Sequence, residues 1–174
     1  MVYNGEQRNV LGGIGASVGV AWAPRGGAAM FLGQYTHNVD ESGRVIIPSK
    51  FRDSVVDGLV LTRGVEHCLS AYPLPQWQAI TDKLQNLPAT PKPARDYARL
   101  IYSYATELKP DRQGRILIPT NLIEYAKIDS EVRIVGVRDR FEIWAAARWR
   151  EELGRLNDAG EDIAAALADL GIAV

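Results

Sequence analysis

The sequence holds few of the residues on which catalysis and covalent cross-linking depend. Its 174 residues include one cysteine, Cys68, and two histidines. A single cysteine excludes an internal disulfide framework. His37, Asp40 and Ser42 lie close together in the chain, but none belongs to a recognised nucleophile motif. We therefore expect a protein without catalytic activity.

Long apolar runs are also lacking. No uninterrupted apolar stretch reaches the roughly 18 residues that a membrane span needs. Residues 10–23 are similar to the apolar core of an export signal, but four glycines interrupt them and Glu6 lies in what should be a basic region. We expect no membrane association. Residues 1–29 are predicted to be a flexible leader, or the product of a start codon placed too far upstream of Met30.

An excess of charge is missing as well. The net charge is −1, which alone gives no argument for a nucleic-acid partner. Residues 159–174 carry acidic side chains and no basic ones, whereas residues 30–158 are close to balanced. A DNA-binding surface would therefore have to arise from local clusters of basic residues, repeated in an oligomer.

The usual cofactor and metal motifs do not occur. The glycines of residues 12–19 have neither the lysine of a phosphate-binding loop nor the spacing of a dinucleotide-binding one. Glu66, His67 and Cys68 are adjacent, but a structural zinc site needs about four ligands and the sequence has no second such cluster. We expect no cofactor, no metal and no small-molecule substrate.

The strongest positive feature is an internal repeat. The segment DESGRVIIPSKFRD at residues 40–53 is echoed by DRQGRILIPTNLIE at residues 111–124. The identities at an offset of 71 are Asp40/Asp111, Gly43/Gly114, Arg44/Arg115 and Pro48/Pro119. A second block, residues 64–77, recurs as residues 136–149. The predicted divisions are 1–29, a first module with a linker helix at 30–103, a second module at 104–158, and a tail at 159–174.

Each module has the same predicted order of elements: two short strands, a short helix, two more strands and a longer helix. In the first module these are residues 34–39, 44–47, 49–55, 59–62, 68–72 and 75–87. In the second they are residues 106–109, 115–118, 120–126, 132–135, 141–144 and 145–156, with a linker helix at 94–103. Strands this short do not form an independent sheet. We therefore predict an α+β fold in which two βαβ-type modules, related by a pseudo-two-fold axis, close one small barrel.

The repeated Asp-x-x-Gly-Arg element has a local structural reading and a functional one. Asp40 can accept hydrogen bonds from nearby backbone N–H groups, and Gly43 can adopt a positive φ. On that reading the element is a tight turn, with each arginine paired to its own aspartate. Both copies nevertheless have an arginine at this place, Arg44 in the first and Arg115 in the second. Because the guanidinium group can bind phosphates or the edges of guanine bases, the functional interpretation is that these side chains contact DNA.

The repeated motifs resemble the MraZ family, bacterial regulators associated with the division and cell-wall gene cluster. The resemblance is carried by MFLGQYTHNVDESGRVIIPSKFRD at residues 30–53, AYPLPQWQAI at 71–80 and DRQGRILIPTNLIEYAKI at 111–128, and it covers about residues 30–158. It implies tandem AbrB-like swapped-hairpin modules, a ring-shaped homo-oligomer, and binding to short direct DNA repeats upstream of the family's own gene. It also places the family's DNA-contacting arginine on Arg44 and on Arg115.

Further residues are assigned to this expected function. We expect Arg44 to read bases, and Lys50, Arg52 and Arg112 to contact phosphates. Arg115 serves either DNA or its own turn. The apolar residues of the helices that end each module are expected at the oligomer interface, and they are Leu84, Leu87, Trp149, Leu153 and Leu156. The expected role is a DNA-binding transcriptional regulator, most simply a repressor, in the cytoplasm at the nucleoid. The alternative is an oligomeric scaffold without specific DNA contact.

Overall fold

The computed structural model describes residues 30–85 and 91–172. The strands are β1 (Gln34–Asn38), β2 (Arg44–Ile46), β3 (Leu59–Arg63), β4 (Leu69–Pro73), β5 (Thr106–Leu108), β6 (Arg115–Leu117), β7 (Glu131–Val137) and β8 (Arg140–Ala145). The helices are α1 (Ser49–Arg52), α2 (Leu74–Gln85), α3 (Lys92–Tyr102), α4 (Thr120–Ala126), α5 (Ala146–Asp158) and α6 (Gly160–Asp169). A 3-10 helix, Asp53–Val55, continues α1. This order agrees with the predicted one, and the tail forms a helix.

Each short helix that follows a repeated turn is preceded by a proline. Pro48 and Pro119 are the residues immediately before α1 and α4, with φ near −50° and −57° and extended ψ values. A proline has no N–H to offer the helix, so this boundary position suits it as well as the first helical turn does. Each proline therefore marks the change from strand to helix.

Six strands form one antiparallel sheet in the order β1-β7-β8-β4-β3-β5. β1 of the first half pairs with β7 of the second, and β5 of the second half pairs with β3 of the first. β4 and β8 meet in the middle of the sheet, where Leu69 lies opposite Ile143. The two halves therefore share one sheet by a reciprocal exchange of their first strands.

The remaining strands, β2 and β6, form a separate two-stranded antiparallel sheet, which we call the ribbon. The α+β class is confirmed, but the predicted closed barrel is not formed by strand pairing in the described residues. β1 and β5 are the two edges of the six-stranded sheet and do not pair with each other. Each Asp-x-x-Gly-Arg turn directs the strand that follows it into the ribbon, where it pairs with the equivalent strand of the other half. These two strands are therefore not available to join the edges of the six-stranded sheet.

The core lies between the sheet and the ribbon and draws on both halves. Phe31, Phe51 and Phe141, the chain's three phenylalanines, are each at most 2% exposed. Their ring centroids lie 5.0 to 5.6 Å apart, within the range of favourable aromatic pairs. Val45 and Ile116, facing each other on the inner side of the ribbon, are both 1% exposed.

A second set of contacts joins the halves through residues that pack against the same core. The Arg63 guanidinium lies 4.7 Å from the ring centroid of Tyr104 and 5.2 Å from that of Tyr125. The Tyr125 hydroxyl donates a hydrogen bond of 2.6 Å to the Gly64 carbonyl oxygen. Cation–π contacts of this kind add modestly to packing. No helix among residues 30–85 and 91–172 is long and apolar enough to cross a membrane.

The close approach of the chain at Gly136 gives a stability prediction. A Cβ at Gly136 would lie 2.4 Å from the Phe31 carbonyl carbon and 2.5 Å from the Leu32 backbone nitrogen. We expect Gly136→Ala to lower the free energy of unfolding by about 1–3 kcal/mol, because backbone must move to make room. The measurement is thermal and denaturant unfolding at one fixed protein concentration.

The matched control is Gly154→Ala in the interior of α5. A Cβ there meets nothing within 4 Å. Alanine is favoured over glycine inside a helix by about 1 kcal/mol, so this variant should melt higher than the wild type. Equal effects of the two substitutions would contradict the close approach at Gly136.

Candidate nucleic-acid interface

The first repeated turn, residues 40–44, is closed around the Asp40 carboxylate. Asp40 Oδ1 accepts hydrogen bonds from the backbone N–H groups of Ser42 at 3.0 Å and Arg44 at 2.8 Å. The backbone adds bonds from Gly43 N to Asp40 O at 2.9 Å and from Asp40 N to Arg44 O at 2.8 Å. Gly43 has φ of +81°, a value that glycine adopts without strain. The turn therefore fixes where β2 begins and where the Arg44 side chain starts.

The second turn, residues 111–115, repeats this backbone closely. Asp111 Oδ1 accepts hydrogen bonds of 2.9 Å from the backbone N–H groups of Gln113 and Arg115. Gly114 N donates to Asp111 O at 2.8 Å, and Gly114 has φ of +75°. The turns are locked to the ribbon from opposite ends, since Ile47 N donates to Gly114 O and Ile118 N donates to Gly43 O.

The side chains of the two arginines differ although the backbones match. Arg115 Nε donates to Asp111 Oδ2 at 2.8 Å, which makes an ion pair within its own turn. Arg44 makes no ion pair within the described residues; its Nη1 donates to the Ser42 Oγ at 2.9 Å. The Arg44 side chain is exposed, whereas Arg115 is half-buried. Of the two repeated arginines, Arg44 thus keeps its charge available.

The outer face of the ribbon brings both arginines together. Opposite residues of an antiparallel pair project to the same side, and the pairs Arg44↔Leu117 and Ile46↔Arg115 both face outward. Ile46 is 40% exposed and Leu117 is 49% exposed. The face therefore combines two guanidinium groups with two aliphatic side chains. The sequence predicted the arginines but not this pairing, because the register of β2 on β6 joins residues 69 to 73 positions apart in the sequence.

The residues expected at phosphates are spread over the flanks of the ribbon. Arg52 is half-buried, and its Nε donates to the Ile47 carbonyl oxygen at 2.8 Å. It also covers Gly114, where an added Cβ would lie 2.5 Å from Arg52 Nε. Lys50 is exposed on α1, and Arg112 is exposed in the second turn. Arg52 therefore holds the ribbon end as well as carrying charge.

A groove beside the second turn brings three cations together. It is lined by Arg52, Lys109 and Arg112, and also by the acidic Asp53 and Asp111. Lys109 is exposed and was not predicted as a contact residue. The signal was present, since Lys109 immediately follows β5 and comes two residues before Asp111. The two carboxylates offset part of the positive charge, so the groove is a modest cation cluster.

Several aromatic side chains outside the ribbon contact one another. Trp144 is 4% exposed and packs 5.5 Å from Trp149 between ring centroids. The ring centroids of Tyr72 and Trp77 lie 5.9 Å apart, so these four aromatics pack within the chain.

Cys68 is buried, and burial is the main cause that raises the pKa of its thiol to about 12. The described residues contain no cluster of three or more His, Cys, Asp or Glu that could hold a metal ion.

The expected oligomer-interface residues divide into two groups. Leu84 on α2 and Trp149, Leu153 and Leu156 on α5 are half-buried. Leu87 lies outside the described residues. Trp149 also donates from Nε1 to the Gln34 side-chain oxygen at 2.8 Å, so it contributes to the fold of its own chain.

The two turn aspartates predict a loss of stability in acid. The Ser42 hydroxyl hydrogen bond is the largest cause that lowers the pKa of Asp40, and the Arg115 backbone N–H is the largest for the pKa of Asp111. A carboxylate with a depressed folded-state pKa stabilises the fold above its unfolded pKa of about 3.9. That contribution is lost as the pH falls through the folded-state pKa.

We therefore expect the free energy of unfolding to fall as the pH is lowered below about 4, and to fall less in the double variant Asp40→Asn/Asp111→Asn. Asparagine keeps the oxygen that accepts the turn hydrogen bonds but does not titrate. Asp57→Asn, at an exposed position outside the turns, is the control. Urea unfolding at pH 6 and pH 3 measures the difference; the same acid sensitivity in wild type and double variant would contradict the assignment.

Comparison with known proteins shows the family to which this chain belongs. A family model for the MraZ protein, described as antitoxin-like, matches residues 30–100 and 101–169. A protein of Halothermothrix orenii named transcriptional regulator MraZ is 49% identical over 143 residues, which cover 82% of this chain and all of that relative. Proteins of the same name from Acetivibrio thermocellus and Pelotomaculum thermopropionicum are 46% and 44% identical, over 82% and 83% of this chain and all of each relative. The relatives are named as regulators of transcription rather than as enzymes, and this chain belongs to the MraZ family.

Proposed function

We propose that this protein is a sequence-specific DNA-binding transcriptional regulator that places the outer face of the ribbon in the major groove. One observation carries the proposal: an exposed two-stranded face that holds Arg44 and Arg115 beside Ile46 and Leu117. The names of the relatives support a role in transcription. The protein acts by binding and not by catalysis.

The dimensions of the ribbon suit the groove. The major groove of B-DNA admits a two-stranded β-ribbon, and arginine forks there bind the O6 and N7 atoms of guanine. Aliphatic side chains contact thymine methyl groups in the same groove. Arg44 and Arg115 are diagonal neighbours in the ribbon register, a relation that places residues about 7–8 Å apart. That separation spans about two base-pair steps of roughly 3.4 Å each.

The two arginines are expected to contribute unequally. Arg44 uses one guanidinium nitrogen on Ser42 and has its other donors free for a base edge. Arg115 must first leave Asp111, to which its Nε is bonded at 2.8 Å. Ion pairs at an exposed site are weak, worth about 1 kcal/mol or less. Arg115 therefore assists binding, and Arg44 carries most of the base recognition.

Phosphate contacts come from the cations that flank the ribbon. Lys50 and Arg112 are exposed, and Arg52 and Lys109 border the groove beside the second turn. With a net charge of −1, the protein depends on these local cations for attraction to DNA. Its affinity should consequently fall steeply as salt displaces the phosphate contacts.

The family resemblance extends the proposal to the operator and the assembly. We infer a ring-shaped homo-oligomer of tandem swapped-hairpin chains that binds short direct repeats upstream of its own division and cell-wall gene cluster, in the nucleoid of the cytoplasm. The proposed effect of binding is repression. A ring presents the ribbon at regular intervals, so after one subunit binds, the others bind at a high effective concentration.

Exposed apolar side chains support self-association. Ile163 on α6 is 38% exposed, and Leu170 and Ile172 beyond it are 76% and 51% exposed. Tyr97 and Tyr102 on α3 are also more than 40% exposed. Apolar surface that remains exposed on a single chain is commonly buried at an interface between subunits. In an oligomer of closed symmetry this surface is buried in every subunit.

The DNA-binding prediction compares three single-arginine variants. We expect Arg44→Ala to weaken binding to multi-repeat DNA about 10- to 100-fold, the cost of losing a bidentate base contact. Arg115→Ala should have a smaller effect. Arg99→Ala, which removes the same charge from the ion-paired surface of α3, is the control and should bind as the wild type does.

The measurement is fluorescence anisotropy with duplexes of one to four repeats, at two salt concentrations, with a scrambled duplex as reference. Thermal melting should be unchanged in Arg44→Ala, because an exposed arginine adds little stability. Wild-type affinity of Arg44→Ala for repeat DNA would show that the recognition site is wrong. No preference of the wild type for repeats over scrambled DNA would favour the scaffold function.

The assembly prediction concerns α5. We expect native mass spectrometry at micromolar concentration to show one closed species of several subunits. Leu153→Glu, which puts a charge on a half-buried leucine of α5, should shift the protein to smaller species. Asn157→Glu adds the same charge at an exposed position of that helix and should leave the assembly intact. A monomeric wild type would refute the ring.

A further inference from the structure

The two repeated turns share one backbone conformation, but their arginine side chains have different partners. Both have a glycine of positive φ, and both use aspartate Oδ1 to bind the third and fifth backbone N–H groups. The arginine in the fifth place is nevertheless ion-paired in the second turn and not in the first. The turns differ at their second and third places, which hold Glu41 and Ser42 in the first turn and Arg112 and Gln113 in the second. Of these four side chains, that of Ser42 hydrogen-bonds to the arginine of its turn.

The Ser42 hydroxyl lies between the carboxylate and the guanidinium. It donates its hydrogen to Asp40 Oδ1 at 2.6 Å and accepts a hydrogen bond from Arg44 Nη1 at 2.9 Å. A hydroxyl can do both, since it has one donor and two acceptor lone pairs. Asp40 Oδ1 thereby receives three hydrogen bonds, from Ser42 Oγ, Ser42 N and Arg44 N. The guanidinium is held one hydroxyl away from the charge that would neutralise it.

In the second turn no such intermediate is present. The described structure gives Gln113 a backbone hydrogen bond to Asp111 but no side-chain bond within the turn. Arg115 Nε then reaches Asp111 Oδ2 directly, at 2.8 Å. The same two charged residues therefore form a closed pair when the third residue leaves the space between them free.

We propose that Ser42 is a positioning residue that keeps Arg44 off its own carboxylate, so that the residue in the third place of each turn decides which arginine reads DNA. This inference rests on the proposed function for its DNA part. Its structural part, the position of Arg44 relative to Asp40, stands on the geometry of the free protein. The lowered pKa of Asp40, caused chiefly by the Ser42 hydroxyl, agrees with that contact.

The first arm of the test is structural and needs no DNA. Crystal structures of Ser42→Gln and Ser42→Thr are compared with the wild type. In Ser42→Gln we expect Arg44 Nε within hydrogen-bond distance of Asp40 Oδ2, as in the second turn. Ser42→Thr keeps the hydroxyl and should keep Arg44 apart. An Arg44 that stays away from Asp40 in Ser42→Gln would overturn the proposal.

The second arm measures affinity for repeat DNA by anisotropy. Ser42→Ala and Ser42→Gln should bind about three- to fivefold more weakly, the size expected when a binding arginine must break an exposed ion pair. Ser42→Thr should bind as the wild type does. Adding Asp40→Asn to Ser42→Ala should restore binding, because the competing charge is gone while the turn acceptor remains. Failure of Asp40→Asn to restore binding would mean that the hydroxyl itself contacts DNA, and would overturn the positioning role.

The exchange variant Ser42→Gln/Gln113→Ser completes the test. In that background we expect Arg115→Ala to weaken binding more than Arg44→Ala, the reverse of the wild-type order. An unchanged order would overturn the inference. If Arg44 closes on Asp40 in the crystal while no arginine variant changes DNA affinity, the DNA-binding function fails and the structural effect of Ser42 stands. The two failures are thus distinguishable.

Discussion

Neither half of this chain can cover its own apolar surface, and the rest of the structure follows from that constraint. Strands of three to seven residues bury too little alone. The halves therefore exchange strands, with β1 on β7 and β5 on β3. The phenylalanine cluster shows the result, because Phe31 and Phe51 come from the first half and Phe141 from the second. The fold is one core made by two incomplete units.

The ribbon is the part of this exchange that faces outward. Val45 and Ile116 turn into the shared core, both 1% exposed, and the alternation of a strand then directs Arg44, Ile46, Arg115 and Leu117 to the other side. Each turn accepts a backbone hydrogen bond from the residue that follows the ribbon strand of the other half. The candidate binding face is consequently fixed by the same contacts that hold the halves together.

Much of the local structure was predictable from the sequence. The repeat, with glycine before arginine and proline after three aliphatic residues, indicated the turn, the strand and the following helix, because those signals act over a few residues. The open sheet was not predictable, since pairing of β1 with β7 is a contact between distant segments. The closed barrel was expected because the need to bury apolar surface does not by itself determine which edge strands pair.

Some features of the candidate site could likewise be predicted from the sequence, and others could not. Arg44 and Arg115 were singled out because they are repeated, and a role for Arg115 in its own turn was one of the two expected for it. The contact of Arg44 with Ser42 was not predicted, because a motif written as Asp-x-x-Gly-Arg discards the third residue. Arg52 was expected at a phosphate, and its hydrogen bond to Ile47 and its position over Gly114 show a structural task as well. Lys109 was missed because it precedes the motif. Side-chain competition within a turn is decided by single contacts that composition does not reveal.

The near-symmetry of the ribbon has a consequence for direction. A face with two identical ends fits a DNA segment equally well in either orientation, and a ring of such faces has no sense along the duplex. Direct repeats are not symmetric, since every copy points the same way. Here the backbone is closely two-fold, but one end offers an open guanidinium and the other a neutralised one. In the proposed function that inequality, together with Lys50 and Arg52, which have no basic counterparts in the second half, gives each subunit the polarity that is needed to tell a direct repeat from its reverse.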